Sequence, residues 1–158
     1  DELDKLGILI DADEVGIEKR ISEINGILKK VGIEVEFKDI NEFQKDSKND
    51  IEIACHILNI EDKGSLDNIL KTIAKGKSEY ADCLKTWKKC LEEKGEKVSD
   101  TIFTKFWVNN YLRFDTCDKE EQKKSSKKCN FEKALEKDFW DFEHKSLDSL
   151  KDFLKLFK

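Results

Sequence analysis

The five cysteines are the residues whose type and spacing most directly indicate chemistry, and that chemistry is disulfide formation. Cys83 and Cys90 lie on the apolar stripe of a helix predicted over residues 78–91. Seven helical residues separate two side chains by about 10 Å, whereas the Cα atoms of a disulfide lie within about 7 Å of each other. Each of these two cysteines is therefore expected to form a disulfide with another segment of the chain. We expect Cys117 and Cys129 as the partners and Cys55 as the free thiol. The pairing stays open, and a link to a second chain or a helix with buried thiols are the alternatives.

The two histidines do not form a metal or catalytic site with these cysteines. His56 and His144 belong to no Cys-x2-Cys or His-x3-His spacing, so the sequence predicts no metal site. Cys55 and His56 are adjacent and point to different faces of a helix, which excludes a nucleophile–base pair. We therefore interpret both histidines as structural and expect no cofactor.

A second pattern is the pair Asp11 and Asp13, which directly follows an apolar segment. Apolar residues alternate over residues 6–10 and again over residues 33–37, and a helical stripe lies between them at residues 14–31. Taken literally, the first third of the chain is a strand–helix–strand unit, and the two aspartates lie at the end of its first strand.

The run Asp11-Ala-Asp-Glu-Val15 after such a strand resembles the first motif of haloacid dehalogenase-like phosphotransferases. The resemblance implies Asp11 as the nucleophile and Asp13 as the acid–base residue. After residue 37 we find no further buried strand and no later pair of aspartates for Mg²⁺. In the alternative interpretation, which we prefer, both aspartates cap a helix. We therefore expect that the protein is not an enzyme and keep the phosphotransferase as the less favoured hypothesis.

Composition limits the classes of protein. Charged residues make up 41% of the chain, against about 25% in typical domains. Their signs are interleaved and the net charge is −5, which argues against a nucleic-acid-binding protein. No apolar run approaches the ~20 residues of a membrane span. The absence of methionine together with five cysteines favours a secreted, extracellular protein from which a signal peptide has been removed.

From residue 39 onward the apolar spacing predicts successive short helices with polar caps or glycine stops. One covers residues 50–59, with Ile51, Ala54, Cys55 and Leu58 on one face. Later helices begin at Ser65, Ser78, Ser99, Asp118, Asn130 and Ser146. Because proline is also absent, we predict an all-α fold: a compact, disulfide-linked bundle of about seven or eight short helices. It forms a single domain over residues 1–158, with a core at 14–115 and a C-terminal extension at 116–158 that packs on the core.

Three runs, residues 27–43, 50–58 and 61–67, resemble the front half of insect odorant-binding proteins, including the diverged salivary carriers of blood-feeding insects. In that family a helix leads into a turn, a Cys-x3-Cys helix and a D-x-x-G-x-hydrophobic-D turn. Cys55 matches the second cysteine of the pair, whereas Ile51 stands in place of the first. The resemblance implies an odorant-binding-like helical core around a ligand cavity, extra C-terminal helices and no catalysis.

Aromatic residues on neighbouring predicted helices are the candidate ligand contacts: Tyr80, Trp87, Phe103, Trp107, Tyr111, Phe139 and Trp140. A plain core would use the same residues. With a carboxylate from Asp115 or Asp138, they would suit a cationic amine; without one, they would suit a hydrophobic molecule.

We therefore expect a secreted carrier or scavenger of a small hydrophobic or amine ligand. The alternative is a secreted effector that inhibits a host haemostasis or complement protein through its charged surface. A cavity of about 300 Å³ or more favours the carrier, and a solid core favours the effector.

Overall fold

The computed structural model describes residues 3–124 and 129–158. The chain divides into two compact units, Asp1–Ile69 with His144–Lys158 and Leu70–Glu143, here called the first and the second unit. Among the described residues, no helix has both the length and the apolar character needed to cross a membrane. The elements in chain order are β1 (Lys5–Asp11), α1 (Ile17–Lys30), β2 (Gln44–Asp46), β3 (Ile51–Leu58), α2 (Leu66–Ile73), α3 (Glu79–Asp82), α4 (Leu84–Glu93), α5 (Asp100–Asn110), a π-helical turn (Tyr111–Asp115), α6 (Lys119–Lys124), α7 (Phe131–Leu135), a 3₁₀ turn (Lys145–Leu147) and α8 (Asp148–Lys155).

The first unit contains a three-stranded mixed sheet, so the prediction of an all-α fold is wrong and the fold is α/β. The strand order is β1-β3-β2, with β1 parallel and β2 antiparallel to β3. The error lies at residues 50–59, which apolar spacing assigned to a helix. The six residues from Ile53 to Leu58 are all buried, because this central strand is covered on both faces. Such a strand carries a continuous apolar run, and a continuous run also matches helical spacing.

α1 covers one face of the sheet, as the helical stripe over residues 14–31 predicted. Its buried side chains pack against alternate residues of β3, which point to the same face. The shared hydrophobic cluster includes Ile21, Ile24, Leu28, Ile53, Cys55 and Ile57.

Residues 33–37 alternate in burial without forming a strand. Val35 and Phe37 are buried in the same cluster as α1. The backbone of Phe37 is satisfied by Asn25, whose side-chain oxygen accepts from the Phe37 N–H and whose nitrogen donates to the Phe37 carbonyl, both at 2.8 Å. The alternation therefore marks an extended segment held by one side chain instead of a strand ladder. The alternation over residues 6–10, in contrast, corresponds to β1.

α8 packs against β3 within the first unit. Phe153 stacks on His56 with ring centroids 5.5 Å apart, and His56 points away from α1 because it alternates with Cys55 and Ile57 along the strand. Gly7 of β1 allows the close approach of α8. A Cβ at Gly7 would lie 2.9 Å from Cζ of Phe157 and 3.1 Å from Cζ of Phe153.

A hydrogen-bonded chain joins β3 to α8. The Nδ1 of His56 lies 2.8 Å from Oδ1 of Asn41, and Nδ2 of Asn41 donates to the carbonyl oxygen of Ser149 at 2.9 Å. Burial lowers the pKa of His56 below its ordinary value, so the neutral ring is the form that this packing favours.

The second unit is helical and packs around three rings. Trp107 stacks on Tyr111 at 5.1 Å between centroids, and Trp140 meets Tyr111 edge-on at 5.3 Å. The indole N–H of Trp140 donates to the carbonyl of Ala134 at 2.8 Å, so this buried polar group is satisfied. Four predicted helix caps are confirmed, since each accepts from the backbone N–H three residues later; they are Ser78, Ser99, Asp118 and Asn130.

Replacing Gly7 by Val should destabilise the first unit, because the added methyl groups would meet the rings of Phe153 and Phe157. Overpacking of this kind costs about 1–3 kcal/mol. Gly26 in α1 is the matched control, because no described residue lies within 4 Å of a Cβ there. Gly26→Ala should stabilise the protein by about 1 kcal/mol. Urea unfolding measures both effects, and a Gly7→Val variant as stable as wild type would contradict the close approach of α8.

The lowered pKa of His56 predicts a loss of stability on acidification. In the unfolded chain His56 takes up a proton as the pH falls through about 6.5, whereas in the folded chain it resists protonation to a lower pH. The contribution of neutral His56 to the free energy of unfolding is therefore fully present above pH 6.5 and declines below it. Urea unfolding at pH 7.5 and 5.5 should show a smaller decline for His56→Gln than for wild type. An equal decline in His56→Gln and wild type would exclude His56 as the cause.

Candidate functional site

The buried aromatic residues predicted to contact a ligand contact one another in the second unit. Trp107, Tyr111 and Trp140 are buried and form the ring cluster described above. Phe103 is also buried, and Nζ of Lys71 lies 4.8 Å from its ring centroid and 6.0 Å from that of Trp107. Burial lowers the pKa of Lys71, and the neighbouring lysines add to this effect. The structure thus brings four of the seven predicted aromatic residues into one packed region.

Tyr80 and Trp87 lie instead at the surface, with 56% and 36% of their area exposed. Each contacts one neighbouring ring, Phe114 at 4.9 Å and Phe106 at 5.5 Å between centroids. The helix predicted over residues 78–91 is divided into α3 and α4, and α4 has no buried residue. Most of the predicted apolar stripe is therefore exposed, including Cys83 and Cys90.

The hydroxyl of Tyr111 is used within the protein. It lies 2.9 Å from the carbonyl oxygen of Lys75 and 3.1 Å from that of Phe139, the seventh predicted aromatic residue, which is half-buried. Burial raises the pKa of Tyr111 to about 12, with a smaller contribution from Asp115. Asp115 accepts a 2.6 Å hydrogen bond from the hydroxyl of Ser78. These polar groups therefore hold the helical core together.

The structure pairs Cys117 with Cys129, with their Cα atoms 6.0 Å apart, and not with Cys83 or Cys90 as we expected. Cys83 and Cys90 are exposed free thiols, and Cys55 is a buried free thiol, as the sequence analysis expected. The physical reason is exposure: Cys83, between α3 and α4, and Cys90, within α4, both lie at the surface. Burial raises the pKa of the Cys55 thiol to about 11, so Cys55 is not a nucleophile at neutral pH.

A surface depression of about 700 Å³ lies beside the segment that joins α4 to α5. Charged residues contribute to its lining, and two of them, Lys88 and Asp100, form an ion pair at 2.6 Å. None of the seven predicted aromatic residues lines it. The depression is open and lacks these aromatic residues, so it does not correspond to the aromatic pocket that the sequence suggested.

The parallel pairing of β1 with β3 creates a different candidate site in the first unit. Parallel strands end at the same edge of the sheet, and Asp11 lies opposite Leu58 in the register. In open α/β sheets ligands bind outside the carboxyl ends of the strands. The loops that follow β1 and β3 are joined there by two hydrogen bonds between Asp13 and Gly64, at 2.6 and 2.8 Å. We call the residues Asp11, Asp13, Gly16, Arg20 and Asp62 the carboxyl-edge site.

Two aspartates of this site are oriented by specific partners. Oδ1 of Asp11 accepts from the backbone N–H of Leu66, at the beginning of α2, at 2.9 Å. Oδ2 of Asp13 accepts from Nη2 of Arg20 at 2.5 Å, and Nη1 of Arg20 donates to Glu23 at 2.7 Å. These carboxylates raise the pKa of Arg20 further, with Glu23 as the larger cause. The Nε of Arg20 is buried and has no partner among the described residues.

Asp62 caps α1 from the loop that follows β3. Its Oδ1 accepts from the N–H of Ile17, the first residue of α1, at 3.0 Å. Gly16 makes this contact possible in two ways. Its φ of +85° is a conformation that favours glycine, and a Cβ at Gly16 would lie 2.8 Å from Oδ2 of Asp62. The positive end of the helix dipole and the carboxylate thus stabilise each other.

The site presents the ligand type that hard divalent cations prefer, carboxylate oxygen. Asp11, Asp13 and Asp62 each use one oxygen in the contacts above. The three are not gathered into a closed cage, because the one group of three metal-ligating side chains within 4.8 Å among the described residues lies in the second unit. Mg²⁺ commonly binds to one or two carboxylates and keeps several waters. The open arrangement of the carboxyl-edge site suits such a cation. A shallow depression of about 380 Å³, lined in part by Gly16 and Asp62, adjoins it.

Comparison with protein families gave one finding. The family model described as Protein of unknown function (DUF3226) matches residues 1–158. The chain belongs to this family. No curated protein matched the chain, and neither did any solved structure. The DUF3226 match names no activity, so the carrier and effector hypotheses and the resemblance to odorant-binding proteins stay predictions.

Sequence reasoning identified Asp11 and Asp13 but missed Gly16, Arg20 and Asp62. The available signal was the apolar run at residues 51–58, because a polar turn containing Asp62 follows it almost at once. If that run is interpreted as a strand parallel to the first, the turn that follows it lies beside Asp13. Arg20 lies one helical turn into α1, and its role depends on the side-chain contact with Asp13, which no local sequence pattern indicates.

Asp62→Ala should destabilise the protein by about 1 kcal/mol, because it removes the acceptor for the first N–H of α1. Asp62→Asn is the matched variant, since an amide oxygen can accept the same bond and Asn tolerates the positive φ of this position. Thermal unfolding with a chelator present separates this structural effect from cation binding. Equal losses in the Ala and Asn variants would show that the cap is not what Asp62 contributes.

Proposed function

We propose that this chain is a divalent-cation-dependent enzyme that acts on phosphate esters at the carboxyl-edge site. The observation that carries the proposal is the parallel pairing of β1 with β3. It puts the loop of Asp11 and Asp13 beside the loop of Asp62, at the sheet edge where ligands of α/β proteins bind.

The proposal replaces our expectation of a protein without catalysis. That expectation depended on the lack of a buried strand after residue 37, which β3 supplies, and on the lack of a later pair of aspartates for Mg²⁺. From the resemblance to haloacid dehalogenase-like phosphotransferases the proposal keeps the chemical class, two aspartates and a phosphate group. It assigns the aspartates to cation binding, because Asp11 is oriented by the N–H of Leu66 and Asp13 already neutralises a cationic group.

The proposed roles follow from the charges. Asp11 and Asp13 would hold the cation, which would neutralise part of the charge on the substrate phosphate. Arg20, which is paired with Asp13 in the structure, would donate to the phosphate from its partly exposed guanidinium. Neutralising this charge is the main requirement of phosphoryl transfer.

The aromatic residues do not favour the carrier as a second candidate. Trp107, Tyr111 and Trp140 fill space with their own rings, and the predicted aromatic residues do not line the 700 Å³ depression. We therefore pursue the phosphate-ester proposal alone.

Calorimetric titration with MnCl₂ and MgCl₂ tests the cation site. Asp11→Asn and Asp13→Asn should each weaken binding about tenfold or more, which equals roughly 1.4 kcal/mol, because a charged ligand becomes neutral. Asp4→Asn is the matched control: Asp4 is exposed just before β1, at the opposite edge of the sheet, and the variant should bind like wild type. Unchanged affinity in both site variants, with unchanged melting temperatures, would refute the site.

Catalysis is tested with p-nitrophenyl phosphate and bis(p-nitrophenyl) phosphate in the presence of Mn²⁺. We expect release of nitrophenol from at least one of the two, abolished by chelator and by Asp11→Asn. Arg20→Lys should raise KM more than it lowers kcat, because a point charge replaces a two-pronged donor. Cation binding without hydrolysis of either ester would refute the enzyme assignment and leave a cation-binding protein.

A further inference from the structure

The second unit contains a group of three metal-ligating side chains that has no part in the proposal above. The ligand atoms of Cys117, Glu121 and Cys129 all lie within 4.8 Å of one another. Both cysteines are buried and Glu121 is half-buried. In the structure the two sulfur atoms form a disulfide, so only the reduced chain would present them as ligands.

Local hydrogen bonds fix Glu121 beside Cys117. Asp118 caps α6 and forms a capping box with Glu121: its Oδ1 accepts from the N–H of Glu121 at 2.8 Å, and Oε2 of Glu121 accepts from the N–H of Asp118 at 2.9 Å. Because Asp118 follows Cys117 directly, the capping box sets the carboxylate next to the sulfur.

Lys137 holds the same carboxylate from the other side. Its Nζ donates to Oε2 of Glu121 at 2.6 Å and to the carbonyl of Thr116 at 2.7 Å. Both described partners of Glu121 use Oε2 and leave Oε1 for a further ligand.

The other cysteines indicate the conditions in which the group can act. Cys83 and Cys90 are exposed and unpaired, which is typical of proteins kept in a reducing environment. A thiol reductant there would convert the disulfide to two thiols by transferring two electrons and two protons, and would itself become a disulfide.

We propose that reduction of the Cys117–Cys129 disulfide opens a Zn²⁺ site formed by the two thiolates and Oε1 of Glu121. Zinc binding displaces the two thiol protons. Thiolates and a carboxylate are ligands that zinc accepts in tetrahedral sites, and water takes the fourth position when the protein supplies three. With Lys137 included, two thiolates, one carboxylate, Zn²⁺ and the ammonium group sum to no net charge, which suits a half-buried site.

The test uses the full chain with Cys83→Ser and Cys90→Ser, which removes exposed thiols that could bind zinc on their own. The disulfide is reduced with a water-soluble phosphine, and zinc is titrated in competition with a chromophoric chelator. We expect about one Zn²⁺ per reduced chain and none per oxidised chain. Co²⁺ in place of zinc should give thiolate-to-cobalt absorption in the near ultraviolet only after reduction. Equal zinc binding by the oxidised and the reduced chain would overturn the proposal without any further variant.

Single-residue variants identify the ligands. Cys117→Ser and Cys129→Ser should each weaken zinc binding by about a hundredfold or more, and Glu121→Gln by about tenfold. Glu120→Gln on the same helix is the matched control for Glu121, because Glu120 is exposed and outside the group, and it should bind zinc like the parent protein. Glu121→Gln keeps both cysteines, so a folding defect in the cysteine variants does not remove the test. A Glu121→Gln variant that binds zinc as tightly as Glu120→Gln would overturn the assignment.

Discussion

The parallel pairing of β1 with β3 is the interaction on which the first unit depends. It makes β3 a central strand, and a central strand must be covered on both faces, which α1 and α8 do. The two coverings use alternate residues of the same strand: Cys55 and Ile57 face α1, whereas His56 meets Phe153 of α8. The pairing also fixes where the strands end. The loops that follow them meet at one edge, and the position of the candidate site is therefore a consequence of how the core is built.

At that edge the same residues shape the backbone and supply the charge. Asp13, Glu61 and Asp62 have positive φ, a conformation that Asp tolerates better than most residues because its short side chain can bond locally. Each aspartate of the carboxyl-edge site also has a structural partner: the N–H of Leu66, the Arg20 guanidinium or the N–H of Ile17. A loop that served only to reverse the chain direction would not need the ion pair between Arg20 and Asp13. It would also not need a glycine at position 16, which leaves room for the Asp62 carboxylate. The combination of strained loops and oriented carboxylates is more typical of a binding site than of a simple connection.

The parts of the fold that could be predicted are those governed by local sequence. The helical stripe of α1, the alternation of β1 and the caps at Ser78, Ser99 and Asn130 depend on residues within a few positions of one another, and they were found. β3 was not, because a strand buried on both faces loses the alternation that identifies a strand and matches helical spacing as well. The exposed face of α4 and the Cys117–Cys129 disulfide depend on which segments meet in space. Of the candidate site, Asp11 and Asp13 were visible as a motif. Arg20 and Asp62 became candidates only once the register of β1 and β3 was known.

The two proposed sites differ in ligand chemistry, and this difference would decide which of them holds zinc. Carboxylate oxygens at Asp11 and Asp13 suit a hard cation that retains water, whereas the sulfur atoms of Cys117 and Cys129 suit zinc. First-row transition metals bind most sites more tightly than Mg²⁺ does. An open carboxylate site therefore binds Mg²⁺ in preference to zinc only where free zinc is scarce. A thiolate site in the same chain binds zinc far more strongly than two carboxylates and water can. Reduction of one disulfide in the second unit would then lower the zinc available to the carboxyl-edge site without any contact between the two sites.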